Sequence, residues 1–563
     1  MVAVSPTPGD IKSAQPQNIG TVLRALRCLR RSAGRLPGEY TVAKLDAFDR
    51  FRRETSPLQS AASLLLTPMP CILANFVVES IPLTDPATGF HGCLPFLLRN
   101  FVSATIVTMV PFRIKPDCIP QLPIQPWKLA LGFGILLGLV STGTIAALIH
   151  VVGSFPVPSS QFSPMIAMGM IGQLIEFRLL HTPQVKPRLE KIDLWLGMVV
   201  APILVYPLFT AVFMALPPRL QLWFSLLLPV LKHLLRYLLW LVARDDLDLV
   251  VSVTCTIGHF YHVLFTAMCL QNAKTLETLV AVLAVNFIHM LLNCREIGRD
   301  AEQINTAKSK LLEVPESTTT EDVIATALKL AQTDRVARAL HRKRPSRYVS
   351  QYPKYQGTEF LARHQALLTQ QRINTTQTSE LSPRAPQILP VSDTRPGSKI
   401  TTTGDTTRTR SHLAYESQND GTRKDEYFVR SVTSTLHQTE FILLRSYITI
   451  FGLSFYGVYL MLVFWLPNNR YFATMTHMTS FNAVATMVFH VLLLCGVELL
   501  FFAAYLVVIR RHLGVSGITQ LGFVLYSQRV LIQGKFVMLS IMILGFPLEH
   551  YGNGFIFQLH AGS

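Results

Sequence analysis

Charge is scarce in this chain. Asp, Glu, Lys and Arg make up 15% of its 563 residues, against roughly a quarter in soluble globular proteins, which excludes a plain string of water-soluble domains. Its eight cysteines (Cys28, Cys71, Cys93, Cys118, Cys255, Cys269, Cys294 and Cys495) form no CxxC pair and no regular spacing, and several fall inside apolar runs. A disulfide framework and a zinc site are not expected, nor is any metal or cofactor. Enzyme signatures are missing too: there is no GxSxG, no Walker-type phosphate loop, no HExxH and no GxGxxG after a strand. The chain therefore reads as a non-enzyme with no catalytic residue. Its one acidic motif, ARDDLDL (Ala243–Leu249), sets Asp245, Asp246 and Asp248 at a membrane edge. A membrane-embedded lipid enzyme would bind a divalent ion there. Without a second acidic motif or a base, a solvated loop is the expectation.

What the chain has is apolar sequence. Hydrophobic residues make up 50% of it, the mean hydropathy is +0.34, and they gather into runs of about 18 to 26, the length that crosses some 30 Å of hydrocarbon. The runs do not alternate, which excludes a β-barrel. The expected fold class is all-α, a polytopic helical membrane protein with the lipid bilayer as its surroundings. The net charge of +17 comes from Lys and Arg in short stretches between apolar runs, the pattern of retention on the cytoplasmic side. It sets topology, and no nucleic-acid partner is expected.

Apolar runs predict spans at 58–82, 93–112, 128–152, 193–216, 219–243, 249–271 and 275–293. The first begins near Pro57, too late for a secretory signal peptide. An eighth, FSPMIAMGMIGQLIEF (Phe162–Phe177), is short, but charge requires it. The basic N-terminus and the basic segment after Cys294 belong on one side, so an even number of crossings separates them. Counting 162–177 also puts RLLHTPQVKPRLEK inside and the uncharged SFPVPSSQ outside. Three more spans follow near 440–466, 484–509 and 530–549, with Lys535 inside the last. The expectation is about eleven helices in an 8 + 3 arrangement: a cytoplasmic N-terminal segment 1–56, an eight-helix bundle 57–294, a cytoplasmic loop 295–436, and a three-helix part 437–563 whose C-terminus lies on the opposite side.

The soluble parts are basic. NIGTVLRALRCLRRSAGRL (Asn18–Leu36) reads as a basic amphipathic helix lying on an anionic leaflet, or as a packed cytoplasmic helix. Asp10 and later acidic residues argue against a mitochondrial presequence. In the loop, 320–343 reads as one amphipathic helix opened by a Thr/Glu/Asp start signal, and the Gln-, Thr-, Ser- and Pro-rich remainder as disordered. These segments suit an anionic lipid or a protein partner, switched by phosphorylation at contexts such as RKRPS and RTRS. The oligomeric state is open.

Two adjoining stretches, YTVAKLDAFDRFRRETS (Tyr40–Ser56) and LLLTPMPCILANFVVESIPLTDP (Leu64–Pro86), carry a resemblance. An amphipathic segment, a Thr-Ser, an apolar run with Thr-Pro-x-Pro and a late acidic-x-Ile-Pro-Leu follow in that order. This resembles a large group of multi-pass transmembrane proteins of the oomycete type. The resemblance implies the fold class and brings over no activity and no functional residue.

Ionisable groups at membrane depth each need a reason. Glu79 and Arg99 fall at similar depth in adjacent spans and are expected to pair, and Pro68 and Pro70 to kink the first span, with a discontinuous substrate-binding helix as the alternative. Glu498 sits near the middle of a clean span, with Lys535 and Arg445 as expected partners or else protonated. His259 and His262 share a helical face, and His289 and Asn286 of the next span are placed to meet them, as hydrogen-bonding groups or as part of a metal site. Lys232, His233 and Arg236 interrupt 219–243, which is either the wall of a water-filled cavity or a helix along the interface. Glu176 is expected to pair with Arg178 or Lys191. These residues define a candidate ion or substrate pathway of Glu498, His259, His262, His289, Lys232 and Arg236. The leading expectation is a transporter or channel-like protein. The alternative is a scaffold or receptor-like protein acting through its cytoplasmic loop.

Overall fold

Helix propensity and apolar length carry through to the structure. The computed structural model describes residues 36–311, 322–343, 350–356 and 405–552, apart from 123–125, 159, 181, 218–219, 221–223, 225–226, 272–275, 474, 476–477 and 479. Among these residues there is no strand, only an isolated bridge between Phe472 and Leu548. The expected segment 18–36 lies, but for Leu36, outside the described residues, as do Arg344, Pro345 and Ser346 of the RKRPS context.

The helices in chain order are α1 (Val42–Glu54), α2 (Pro57–Leu66), α3 (Met69–Glu79), α4 (Leu94–Cys118), α5 (Pro126–Val152), α6 (Ser163–Leu180), α7 (Lys186–Gly197), α8 (Val200–Ala215), α9 (Leu227–Ala243) and α10 (Val250–Val253). A π-helical stretch, Thr254–His259, joins α10 to α11 (Phe260–Gln271). Then come α12 (Leu276–Leu311), α13 (Val323–Gln332), α14 (Asp334–Lys343), α15 (Asp405–Trp465), α16 (Phe481–Leu513), α17 (Gly517–Ser527) and α18 (Arg529–Leu544). The protein is embedded in a membrane: six of its described helical stretches are long and apolar enough to cross a bilayer, at Pro57–Glu79, Leu94–Cys118, Trp127–Val152, Val250–Met268, Gly421–Trp465 and Phe481–Leu513. The pair α17 and α18, bent by 78°, makes a seventh if it counts as one span.

Local chemistry explains the breaks. Ser56 caps α2 in a reciprocal box with Gln59, and Pro68 and Pro70 separate α2 from α3, since each lacks the amide that would continue the ladder. The expected helix at 320–343 is two helices. Asp322 caps α13 through Ile324 N at 3.1 Å, and Thr333, extended at ψ 129°, ends it before α14 begins. The loop expected to be largely disordered contributes more than that: α12 continues to Leu311 and α15 begins at Asp405. Phe428, Val429, Val432 and Leu436 are buried, so these polar-looking stretches keep an apolar stripe.

Lipid tails are as apolar as leucine, so close packing and polar staples hold membrane helices together. Asn75 of α3 donates to Ser540 Oγ of α18 at 2.7 Å, Asn100 of α4 to Ser141 Oγ of α5 at 3.0 Å, and Asn293 of α12 to Tyr505 OH of α16 at 3.1 Å. α5 lies directly on α4. A Cβ added at Gly134 would come within 3.0 Å of the Thr105 carbonyl, and one at Gly138 within 3.2 Å of the Phe101 carbonyl.

The connections sort into two sets. At one end Thr41, Lys44, Asp117, Asp248, Ser350, Tyr352, Tyr355, Ser527 and Gln528 bond one another. In the other set, His550 meets the Thr84 carbonyl, Asn468 the Glu79 and Ile81 carbonyls, Ser160 the Tyr551 carbonyl, and Ala473 the Pro547 carbonyl. α18 runs from Gln528 in the first set to the 545–551 turn in the second.

Candidate functional site

Polar side chains from four helices and the π-helical stretch converge. α9 is strongly amphipathic, and it turns Leu235 and Leu239 into the protein while Val230, Leu234 and Tyr237 are exposed. Lys232 and Arg236 stand one turn apart and are half-buried. Arg236 Nη2 lies 2.9 Å from His233 Nδ1, and the guanidinium carbon 5.6 Å from the Phe441 ring of α15. Four residues along α15 from Phe441 is Arg445, and four further is Thr449, whose hydroxyl lies 2.7 Å from His259 Nε2. The His233 and His289 rings are 6.4 Å apart. Glu498 of α16 accepts from Asn286 Nδ2 of α12 at 3.1 Å, and the charges of Arg445 and Lys232 act on it.

Several sequence expectations need correcting on this geometry. Glu498 takes an amide partner, Asn286, and not Lys535. Lys535 is fully buried in a different place, its ammonium 5.9 Å from the Trp195 ring centroid and without a hydrogen-bond partner among the described residues. Helix placement decides this: α18 packs against α3, α4 and α11. His259 and His262 do share a face, with rings 6.4 Å apart, but His289 and Asn286 do not join them. His262 instead meets Tyr206 OH at 3.2 Å. Among the described residues no group of three or more His, Cys, Asp or Glu is placed to hold a metal ion. Glu176 pairs with Lys115 of α4, across the bundle, and Lys191 faces Asp245 and Asp246. Glu79 and Arg99 do meet: Arg99 Nη2 donates to Glu79 Oε1 at 2.9 Å, both side chains are 2% exposed, and Tyr459 OH adds a contact at 3.4 Å.

No protein family, curated protein or solved structure matches the chain.

A second polar assembly sits at the first set of connections, and the sequence reading missed it. Lys44 Nζ pairs with Glu440 at 2.8 Å and donates to the Asp248 carbonyl at 3.1 Å, with Lys44 wholly buried and Glu440 1% exposed. The Asp248 carboxylate accepts from the Thr41 hydroxyl at 3.1 Å and from Ser350 Oγ. Tyr352 OH donates to Asp117 at 2.7 Å, and Tyr355 OH lies 2.8 Å from Ser527 Oγ and accepts from Gln528 Nε2 at 2.9 Å. The acidic motif is a solvated loop at Asp245 alone, whose side chain is 71% exposed. Asp246 and Asp248 are each 4% exposed, with Arg188 bonded to Asp246. Burial pushes the Asp248 carboxyl above its ordinary range, and Lys44, Ser350 and Thr41 pull it back. The legible signals were modest: Thr41 in helix-cap position before an amphipathic run, and Glu440 opening an otherwise apolar one.

Proposed function

We propose that this protein is a transporter or channel-like membrane protein whose pathway runs past Glu498, Lys232, Arg236 and the histidines around them. The observation that carries the reading is their convergence from α9, the π-helical stretch, α12, α15 and α16 at span depth, where isolated charges are costly and mark ion or substrate paths. Eleven crossings in an 8 + 3 order, with the N-terminus and the Lys44–Asp248 assembly cytoplasmic, fit this proposal. The two sets of connections support that order, since they divide 40–44, 117, 248, 350–355 and 527 from 84, 160, 468 and 547–551 just as alternate crossings require. No enzyme activity is proposed: the buried carboxylates of the acidic motif, Asp246 and Asp248, are bonded by Arg188, Thr41 and Ser350.

Labelling in native membranes with a lipid-soluble carbodiimide, which attacks protonated carboxyls, tests the pathway. Modification of Glu498 that titrates with pH and is lost in Glu498→Gln is expected. No labelling at any pH would sink the reading.

The specific observation favouring the alternative, a scaffold acting through its cytoplasmic loop, is the burial of Ser350, Tyr352 and Tyr355 against Asp117, Asp248 and Ser527, which ties part of that loop to the membrane bundle. On that reading, deleting the loop abolishes function while Glu498→Gln is silent.

A further inference from the structure

Where α12 and α15 run on past the membrane, they enclose a cleft of about 620 Å³. Arg299, Glu302 and Gln303 of α12 line it from one helix, and Arg423, Lys424 and Tyr427 of α15 from the other. Three cations therefore share the cleft with one carboxylate. Arg299 and Arg423 are exposed and take part in no ion pair among the described residues. Glu426, next along α15, is held by Arg430 at 3.0 Å.

Depth fixes where the cleft lies. Asn286 with Glu498, and Asn293 with Tyr505, are each 212 positions apart, so α12 and α16 run parallel and in step. Arg299 is then level with Arg511. Exposed large apolar side chains stop at Leu292 on α12 and at Val507 on α16. Arg295 and Arg299 are exposed beyond the first limit, Arg510 and Arg511 beyond the second. The two limits mark one membrane surface, the cytoplasmic one in the proposed order. Arg299 stands about 10 Å along the helix from Leu292, while the headgroup layer is about 5–8 Å deep.

Chemistry and depth together narrow the ligand. Guanidinium forks match phosphate oxygens. The Gln303 amide and the Glu302 carboxylate offer donors and acceptors that suit hydroxyl groups, and Tyr427, 56% exposed, adds an aromatic wall. A plain phosphate uses no hydroxyl partner, and a small headgroup such as serine stays within the headgroup layer. A phosphorylated inositol ring carries phosphates and hydroxyls together and projects beyond it.

We propose that this cleft binds the phosphorylated inositol headgroup of a lipid in the adjoining leaflet. Arg299 and Arg423 take the phosphates, Lys424 adds charge, and Glu302 and Gln303 meet the ring hydroxyls. Basic pockets between membrane helices at a cytoplasmic surface are a setting in which such headgroups are held. The site is separate from the pathway residues and stands whether or not they conduct.

The full-length protein in mild detergent, titrated at equal ionic strength with short-chain phosphatidylinositol bisphosphate and with short-chain phosphatidylserine, tests this. Saturable binding of the inositol lipid is expected, tighter than that of phosphatidylserine by about tenfold or more. Arg299→Gln and Arg423→Gln should each weaken it about tenfold, with the thermal midpoint unchanged because both side chains are exposed. Lys128→Gln, at an exposed cation near the start of α5, should leave it unaltered. Soluble inositol trisphosphate should compete. Equal affinity for the two lipids, or an equal loss in Lys128→Gln, would show diffuse attraction to a basic surface and overturn the proposal. Undiminished binding in a folded Arg299→Gln, Arg423→Gln double variant would overturn it too. So would failure of the soluble trisphosphate to compete, since recognition would then lie in the acyl chains.

Discussion

Glu79 and Arg99 show how a single pair stabilises this fold. Each is 2% exposed, so removing one partner leaves an uncompensated charge inside the bundle. Such a break costs about 3–5 kcal/mol. Arg99→Leu should therefore lower the thermal midpoint in detergent markedly, and Glu79→Gln added to it should recover part of the loss. An unchanged midpoint in Arg99→Leu would remove the pair from the account. His550, in the turn after α18, is fully buried, and burial lowers its imidazole to about 4 although the Thr84 carbonyl accepts from it. Its folded value lies below the unfolded one, so the unfolded chain binds the extra proton between about pH 6.5 and 4. Stability should fall with decreasing pH across that window, at up to about 1.4 kcal/mol per pH unit, and His550→Gln should flatten the slope. At this scale the sequence was partly legible. Glu79 and Arg99 sit at matched depth in consecutive spans, and depth was enough to join them. Lys535 was expected to reach Glu498 from the next span, but α18 packs against α3, α4 and α11, an arrangement that one sequence does not reveal.

Among elements, the pairing of α4 with α5 is a close helix approach with a sequence signature. Gly134 and Gly138 are four residues apart and open a lane for the α4 backbone. Gly134→Leu and Gly138→Leu together should force the helices apart, costing about 1–3 kcal/mol per site. A cysteine pair across the interface would report this as slower crosslinking, and unchanged crosslinking would show that the approach is not required. Spans were the most legible elements, because length and apolarity state them directly: 128–152 against Trp127–Val152, and 93–112 against Leu94–Cys118. The span expected at 530–549 instead begins after a 78° bend at Gln528, whose side-chain amide bonds the Asp248 carbonyl and Tyr355 OH. α15 was read short by 35 residues, because its start at Asp405 lies in sequence rich in Thr, Arg and Ser whose apolar stripe emerges only near Phe428.

Across the whole molecule, the polar assembly around Lys44 and Asp248 joins parts of the chain that lie hundreds of positions apart. Nothing in composition or periodicity signals it, since each contributor is a lone polar residue beside an apolar run. Its consequence concerns cleavage. Residues Ser350–Tyr355 are pinned to Asp117 and Ser527, Lys44 to Glu440, and Asn75 to Ser540, so covalent continuity between 357 and 404 is not what joins the first part of the chain to the last. A protease site inserted in that interval should, when cut, yield two pieces that migrate together in mild detergent and separate only on denaturation. Lys44→Met should let the cut pieces separate at a lower denaturant concentration than the wild-type pieces, since Asn75–Ser540 and the other contacts remain. Separation of the wild-type pieces on cutting would show that the linkage is the backbone after all. Co-migration would make this chain a natural split protein, able to be supplied as two halves.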